Sequence, residues 1–244
     1  LLVGNFGMSG SGEAISPMLA GRLAVTVPLA LLALLLTTLV GLGLGWLAAL
    51  RPGTIGDRLL GVLTDLGIAA PNFWLGMMLA LALAGGLHWL PTGGFVPWQD
   101  SAPSAFASLI LPALALAAPA AAALAVQVRS ALVAAAGAPA VLGAQARGAT
   151  RRDAVRRSRM PALLTLGPTL GRRFATVVAG TVIVENVFYL PGLGRLILDA
   201  AVARDLMAVR GGLVVLVLLV AGTLFLTQIV FGWLDPRRRA AVTE

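Results

Sequence analysis

The chain has 244 residues, 59% of them apolar before its 29 glycines are counted, against roughly 45–50% with glycine included in an ordinary soluble domain. With only 11% charged residues and a mean hydropathy of +0.93, a soluble globule is excluded and an integral helical membrane protein is predicted. All 18 basic residues are Arg and stand against 10 acids, for a net charge of +8 and a pI near 11.7. In a soluble protein that balance would point to nucleic acid; in so apolar a chain it reads as topology, and no nucleic-acid partner is expected. Without Lys there is no GxxxxGKS/T phosphate loop, so any ATP that drives the protein binds to a partner. Without Cys, and with His88 as the single His, disulfides, Cys-ligated metals and two-His metal sites are excluded, and no metalloenzyme chemistry is expected.

Residues 1–22 read as an external segment, and residues 23–244 as a membrane domain with five spans. Leu23 to Leu50 carries no charge and is longer than a hydrocarbon core of about 30 Å requires, so it tilts or extends beyond it. The second span, 66–87, contains Pro71 and Asn72 and is expected to kink there. The third, 105–126, holds Pro112 and Pro119 and is so rich in Ala that it must pack closely on its neighbours. The fourth, 166–188, is divided by Arg172 and Arg173 and has Glu185 near its far end. The fifth, 211–234, runs into Asp235, Pro236 and the anchor Arg237, Arg238 and Arg239.

Sorting the arginines onto alternating sides puts fourteen with the C-terminus and four opposite, which places the C-terminus in the cytoplasm. The N-terminus then lies outside. Because the chain opens on Leu with no signal peptide, a further helix before residue 1 is expected. Gly41, Gly43 and Gly45 are expected to permit close helix contact, and Trp89 and Trp98 to anchor at an interface. Asp65 is expected to form a surface ion pair with Arg58. Leu196, Ile197, Ala200 and Ala201 at helical spacing predict a short external amphipathic helix within Gly194 to Arg204.

The arginine-dense stretch 129–161 is the longest between spans. Val141, Leu142, Gln145 and Ala146, then Gly148, then Ala154 and Val155 predict a short helix, a Gly turn and a second helix on the membrane surface. Such a pair suits docking into another protein's groove; it equally suits an anchoring loop that satisfies the charge rule, and composition leaves both open.

Within that stretch, Gly148 is followed thirteen residues later by Pro161, preceded by Met160, and the string AQARG spans 144–148. This resembles the cytoplasmic signature EAA, three residues, Gly, nine residues, I-x-L-P of permeases in binding-protein-dependent ABC importers. The AQARG string is similar to the ARAKG variant of the B-type permeases of dipeptide, oligopeptide and nickel systems. Leu142 stands where the signature has Glu, and Ser158 where it has Ile. The resemblance continues along the chain: GNFGM at 4–8, AAPNFWLG at 69–76, LPTGG at 90–94, VENVFYLPGLGR at 184–195 and LDPR at 234–237 are similar to that family's strings in the same order.

The resemblance implies an all-α polytopic bundle of the type I importer permease fold in a bacterial or archaeal cytoplasmic membrane. It implies transport of peptides, nickel or a similar small solute by alternating access, with no catalytic residue and no cofactor in this chain. ATP and Mg would sit on a partner ATPase, with a second, C-type permease and an extracytoplasmic solute-binding protein completing the assembly. Ala144, Ala146, Arg147, Gly148, Met160 and Pro161 would couple to the ATPase, with Gly148 making the turn and Pro161 opening the next span, where its missing N–H costs nothing.

Glu185, Asn186, Arg172 and Arg173 are the pathway or gate candidates. An acid in an apolar run is a functional hypothesis by default, so the alternative to the importer is a secondary transporter or channel that uses Glu185. Arg172 and Arg173 either snorkel to the interface or line an inner cavity and bind a peptide carboxylate bidentately. An intramembrane protease would need a nucleophile facing a base, and no Ser has an evident partner.

Overall fold

The computed structural model describes residues 7–10, 12–164 and 166–234, excepting the side chains at 151, 152, 154, 155, 157, 158 and 168. Among these the regular structure is helical, apart from an isolated antiparallel bridge between Met8 and Ala14. The elements are α1 (Ile15–Leu50), α2 (Ile55–Ala69), α3 (Asn72–Leu79) continued by a π-helical stretch Ala80–Gly86, α4 (Ala102–Ala136), α5 (Pro139–Ala146), α6 (Arg151–Leu164), α7 (Gly167–Val187), α8 (Leu193–Val202) and α9 (Leu206–Leu234). The strings expected at 4–6 and at 235–237, with Arg237 to Arg239, lie outside the described residues.

Three stretches are long and apolar enough to cross a membrane: α1, Ala102–Ala146 beginning with α4, and α9; α2 with the helix after it makes a fourth if the broken pair is one span. The break falls where the sequence dictates. Pro71 has φ −65° and ψ 140°, and the residue before a proline is driven out of the helical region. Helix α7, expected as a span, is not among the three, because Arg172, Arg173 and Glu185 interrupt its apolar character.

The chain divides into two compact units. One is built from residues up to Leu36, Ala70–Pro119 and Ala175–Ala221, and the other from Thr37–Ala69, Ala120–Phe174 and Gly222 onward. In the first, Ile15 and Leu19 of α1 bury against Leu193, Leu196 and Ile197 of α8, with Val215, Leu216 and Leu219 of α9 packed on them. Pro28 lies inside α1 and has no N–H to give to Ala24 four residues back. The Trp98 indole donates to that Ala24 carbonyl at 2.9 Å, and its ring meets Phe95 and Phe106 edge-on. The indole expected as an interface anchor is thus the group that satisfies a carbonyl the proline leaves open.

Asp205 caps α9, accepting the Ala208 N–H at 3.1 Å, and also accepts the Gly10 N–H at 2.9 Å and the Ser9 hydroxyl. These donors hold its carboxyl below the usual carboxylate range. A depressed carboxylate contributes stability at neutral pH and loses it as pH falls through its folded value, below about 4. Hydrogen-exchange protection of residues 7–10 and 12–14, corrected for intrinsic rates, is therefore expected to hold between about pH 7 and 5 and to drop below about pH 4. Asp205→Asn is expected to lower it at pH 7 and 5 and to approach wild type below about pH 4.

In the second unit, Leu124, Val128 and Leu132 of α4 bury with Leu170 of α7, flanked by Trp46, Phe174 and Phe231. A Cβ on Gly41 would lie 2.8 Å from Leu124 Cβ, and one on Gly45 2.6 Å from the Ala125 carbonyl oxygen, whereas Gly43 faces open space. A spacing of four keeps Gly41 and Gly45 on one face and turns Gly43 away, so the close contact uses two of the three expected glycines. Gly45→Ala should lower the thermal midpoint of the detergent-solubilised protein by the equivalent of about 1–3 kcal/mol. Gly43→Ala should not lower it, as size-exclusion profiles after heating will show.

Candidate functional site

The α5–α6 segment is built from three local devices. Pro139 occupies the first turn of α5 after an extended Ala138, where its missing N–H is no loss. At the other end Gly148 adopts φ +89°, its N–H bonds to the Gln145 carbonyl at 2.9 Å, and the Ala149 N–H reaches the Ala144 carbonyl at 3.0 Å. This pair of bonds is a Schellman stop, whose left-handed residue is normally Gly. One residue later Thr150 caps α6: its hydroxyl donates to Asp153 at 2.7 Å and accepts the Asp153 N–H at 3.2 Å. Two short helices are therefore joined at a defined angle by hydrogen bonds within about ten residues of sequence.

Val141 is buried, whereas Leu142 is 58% and Met160 69% exposed. Ala146, Arg147 and Gly148 are exposed and Ala144 is half-buried. Ala144 to Gly148 form the last turn of α5 and its stop; Met160 and Pro161 lie toward the far end of α6. Pro161 does not open the next span. It lies inside α6, which ends at Leu164, and Pro168 occupies the first turn of α7 instead. A proline is tolerated in a first turn but removes a donor within a helix, and α6 stops within a turn of Pro161.

The second constellation centres on Glu185, which is fully buried. Its carboxylate accepts the Thr26 hydroxyl at 2.6 Å, the Gly194 N–H at 2.7 Å and the Arg195 N–H at 3.2 Å, and the Leu193 N–H donates to Thr26 Oγ1 at 2.8 Å. Those three amides are the first turn of α8, whose own N-cap, Gly192, has no side chain to offer. Glu185 and Thr26 therefore cap α8 from α7 and α1. A Cβ on Gly192 would overlap the Glu185 carboxyl, and one on Gly194 would overlap Val182 Cα. Helix α7 ends in a second Schellman stop: Leu190 N–H to the Glu185 carbonyl at 2.9 Å, with Tyr189 at φ 55°. The Arg195 guanidinium lies 5.1 Å from the Tyr189 ring.

Three of the motif strings converge here. Buried Phe188 packs on Gly76, where a Cβ would lie 2.9 Å from its ring, and its carbonyl accepts the Gly94 N–H at 2.8 Å. The glycines of AAPNFWLG and LPTGG thus admit the Phe of VENVFYLPGLGR.

The other candidates separate. Asn186 donates to the Val182 carbonyl of its own helix at 2.8 Å and takes no part in the Glu185 cluster. Arg173 Nε donates to Gln127 Oε1 at 3.1 Å, and Arg172 is exposed. Asp65 is exposed and, among the described residues, is not ion-paired with Arg58. The pairing belongs to Asp57, which accepts both Arg129 Nε and Nη2 at 2.6 Å and the Gly53 N–H at 2.8 Å. Thr26, Asp57 and Arg129 had no distinguishing sequence signal beyond polarity beside apolar runs.

Residues 41–240 match the family of binding-protein-dependent transport system inner membrane components. The chain belongs to this family. A Brucella abortus chain named as a peptide transport system permease protein is 34% identical over 93% of this permease and 73% of its own length. The oligopeptide transport system permease protein AppB of Bacillus subtilis is 30% identical over 97% and 77%. The fold is that of the methionine ABC transporter MetNI in inward-facing form, with a TM-score of 0.68 at 21% identity, over 89% of this permease and 96% of that chain. It is the permease subunit of an ABC importer and a multi-pass inner-membrane protein.

Within the permease, Glu185→Ala is expected to leave buried α8 amides unsatisfied, at about 1–3 kcal/mol for each, and to speed hydrogen exchange at Leu193, Gly194 and Arg195. Glu185→Gln, which keeps an acceptor oxygen, should be milder. Equal protection in wild type and Glu185→Ala would show that the carboxylate does not hold α8.

Proposed function

We propose that this permease moves peptides inward across the cytoplasmic membrane by alternating access, with α5–α6 as the lever that an ATPase subunit grips. The observation that carries this reading is the double device at 144–153, a Schellman stop running into the Thr150 N-cap. A hinge that rigid, with apolar Leu142 exposed beside it, can transmit movement of a docked partner, whereas an anchoring loop needs only charge. The relatives' names supply the substrate class, peptide and oligopeptide.

ATP and Mg belong to the ATPase, since the chain has no Lys for a phosphate loop, and this chain contributes no catalytic residue. The fourteen-to-four arginine distribution orients five spans with the C-terminus and α5–α6 in the cytoplasm. A C-type permease and an extracytoplasmic solute-binding protein complete the assembly. Closure of the ATPases shifts the bundle between two states, and the chemistry stays outside this chain. In this scheme Glu185 positions α8 and Arg173 is held by Gln127.

The Cys-free background allows Leu142→Cys and Ala146→Cys to be crosslinked singly in native membranes. Both are expected to capture a subunit bearing a P-loop, and uptake of labelled di- and oligopeptides is expected to require that subunit. A correctly folded protein that captures no ATPase at either position, or whose strain takes up peptides equally without the transporter, would overturn the assignment.

A further inference from the structure

Within the second unit, the ends of α1 and α4 and the body of α6 enclose an open groove of about 1720 Å³. Pockets for drug-sized solutes hold roughly 300–1,000 Å³. Two chemistries line it. Trp46, Leu50, Val133 and Leu163 form an apolar wall, and Arg156 and Arg159 stand together on α6, three residues apart and hence on one face. The Arg159 guanidinium lies 4.4 Å from the centroid of the Trp46 ring. This contact holds a cation against the apolar wall without consuming its N–H donors.

One acid, Asp153, also lines the groove, but the Thr150 hydroxyl already donates to it at 2.7 Å, and the two arginines outnumber it. Trp46 lies in the last turns of a membrane-spanning helix, and Trp with Arg at a span's end marks the bilayer interface.

We propose that this groove binds an anionic phospholipid, its phosphate on Arg156 and Arg159 and its acyl chains along Trp46, Leu50, Val133 and Leu163. A cation pair joined to an apolar wall at the interface complements a phosphate joined to hydrocarbon. A free phosphate would use only the arginines, and an apolar solute only the wall.

The test takes the full chain with its co-purifying subunits into nanodiscs of phosphatidylcholine with or without phosphatidylglycerol, and counts retained lipid by native mass spectrometry after re-extraction. Wild type is expected to retain phosphatidylglycerol over phosphatidylcholine, and excess inorganic phosphate is expected not to displace it. Arg156→Gln with Arg159→Gln should cut retention by about an order of magnitude or more, while the paired Arg→Lys variant should keep most of it. Ala136→Trp, which fills the groove and leaves both arginines, should also cut retention and serves if the double Gln variant does not fold. Equal retention of the two lipids, displacement by phosphate alone, or unchanged retention in the double Gln and Ala136→Trp variants would overturn the proposal. Crosslinking of Val133→Cys to an ATPase subunit instead of to a photoreactive lipid would do the same. The readout is lipid, so its failure leaves the importer assignment intact.

Discussion

The buried Glu185 carboxylate is the constraint on which the first unit depends. An ionisable group taken from water is costly unless it is hydrogen-bonded, and the first amides of a helix are equally costly to bury without acceptors. Here each solves the other's problem, with Glu185 on α7 and Thr26 on α1 receiving the N-terminus of α8. Once α8 is seated, its apolar face covers Ile15 and Leu19 and receives α9. Gly192 and Gly194 are required because the carboxylate and Val182 leave no room for a Cβ. The acid expected at the far end of the fourth span as a gate or structural residue is, in the fold, the fixed point of a helix cap.

The second unit is held differently. Its α5–α6 elbow is closed by bonds between near neighbours in sequence, a left-handed Gly148 and the Thr150 cap with Asp153, and so it keeps its shape while presenting Leu142 outward. The same unit carries the contact between Gly45 and the Ala125 carbonyl and the bidentate Asp57–Arg129 pair.

The arginines show how one residue type can answer several demands. Counted together, they give the charge asymmetry from which the proposed orientation is argued. Taken singly, Arg129 grips Asp57, Arg173 bonds Gln127, Arg159 lies on Trp46 and Arg195 lies near Tyr189. The guanidinium's permanent charge serves the first role, and its planar fork of donors and affinity for aromatic faces serve the rest. Composition records only the charge.

What the sequence determined by itself was set by short-range physics. Apolar runs fixed where α1, α4 and α9 lie, Pro71 fixed a break, and the spacing of Gly148 to Pro161 together with the strings at 69–76, 90–94 and 184–195 pointed to the permease family that residues 41–240 match. The Gly148 turn was legible because its bonds span only a few residues. The role of Pro161 was not, since an isolated proline reads the same inside a closing turn as at the start of a span, and only the backbone places it within α6. Nor was Glu185's role, because its partner Thr26 is 159 positions away in sequence; no periodicity or spacing encodes a bond over that distance. The tertiary structure alone decided which polar groups in apolar helices meet, because in a dry interior every donor must find an acceptor and only the packed helices show which one it found.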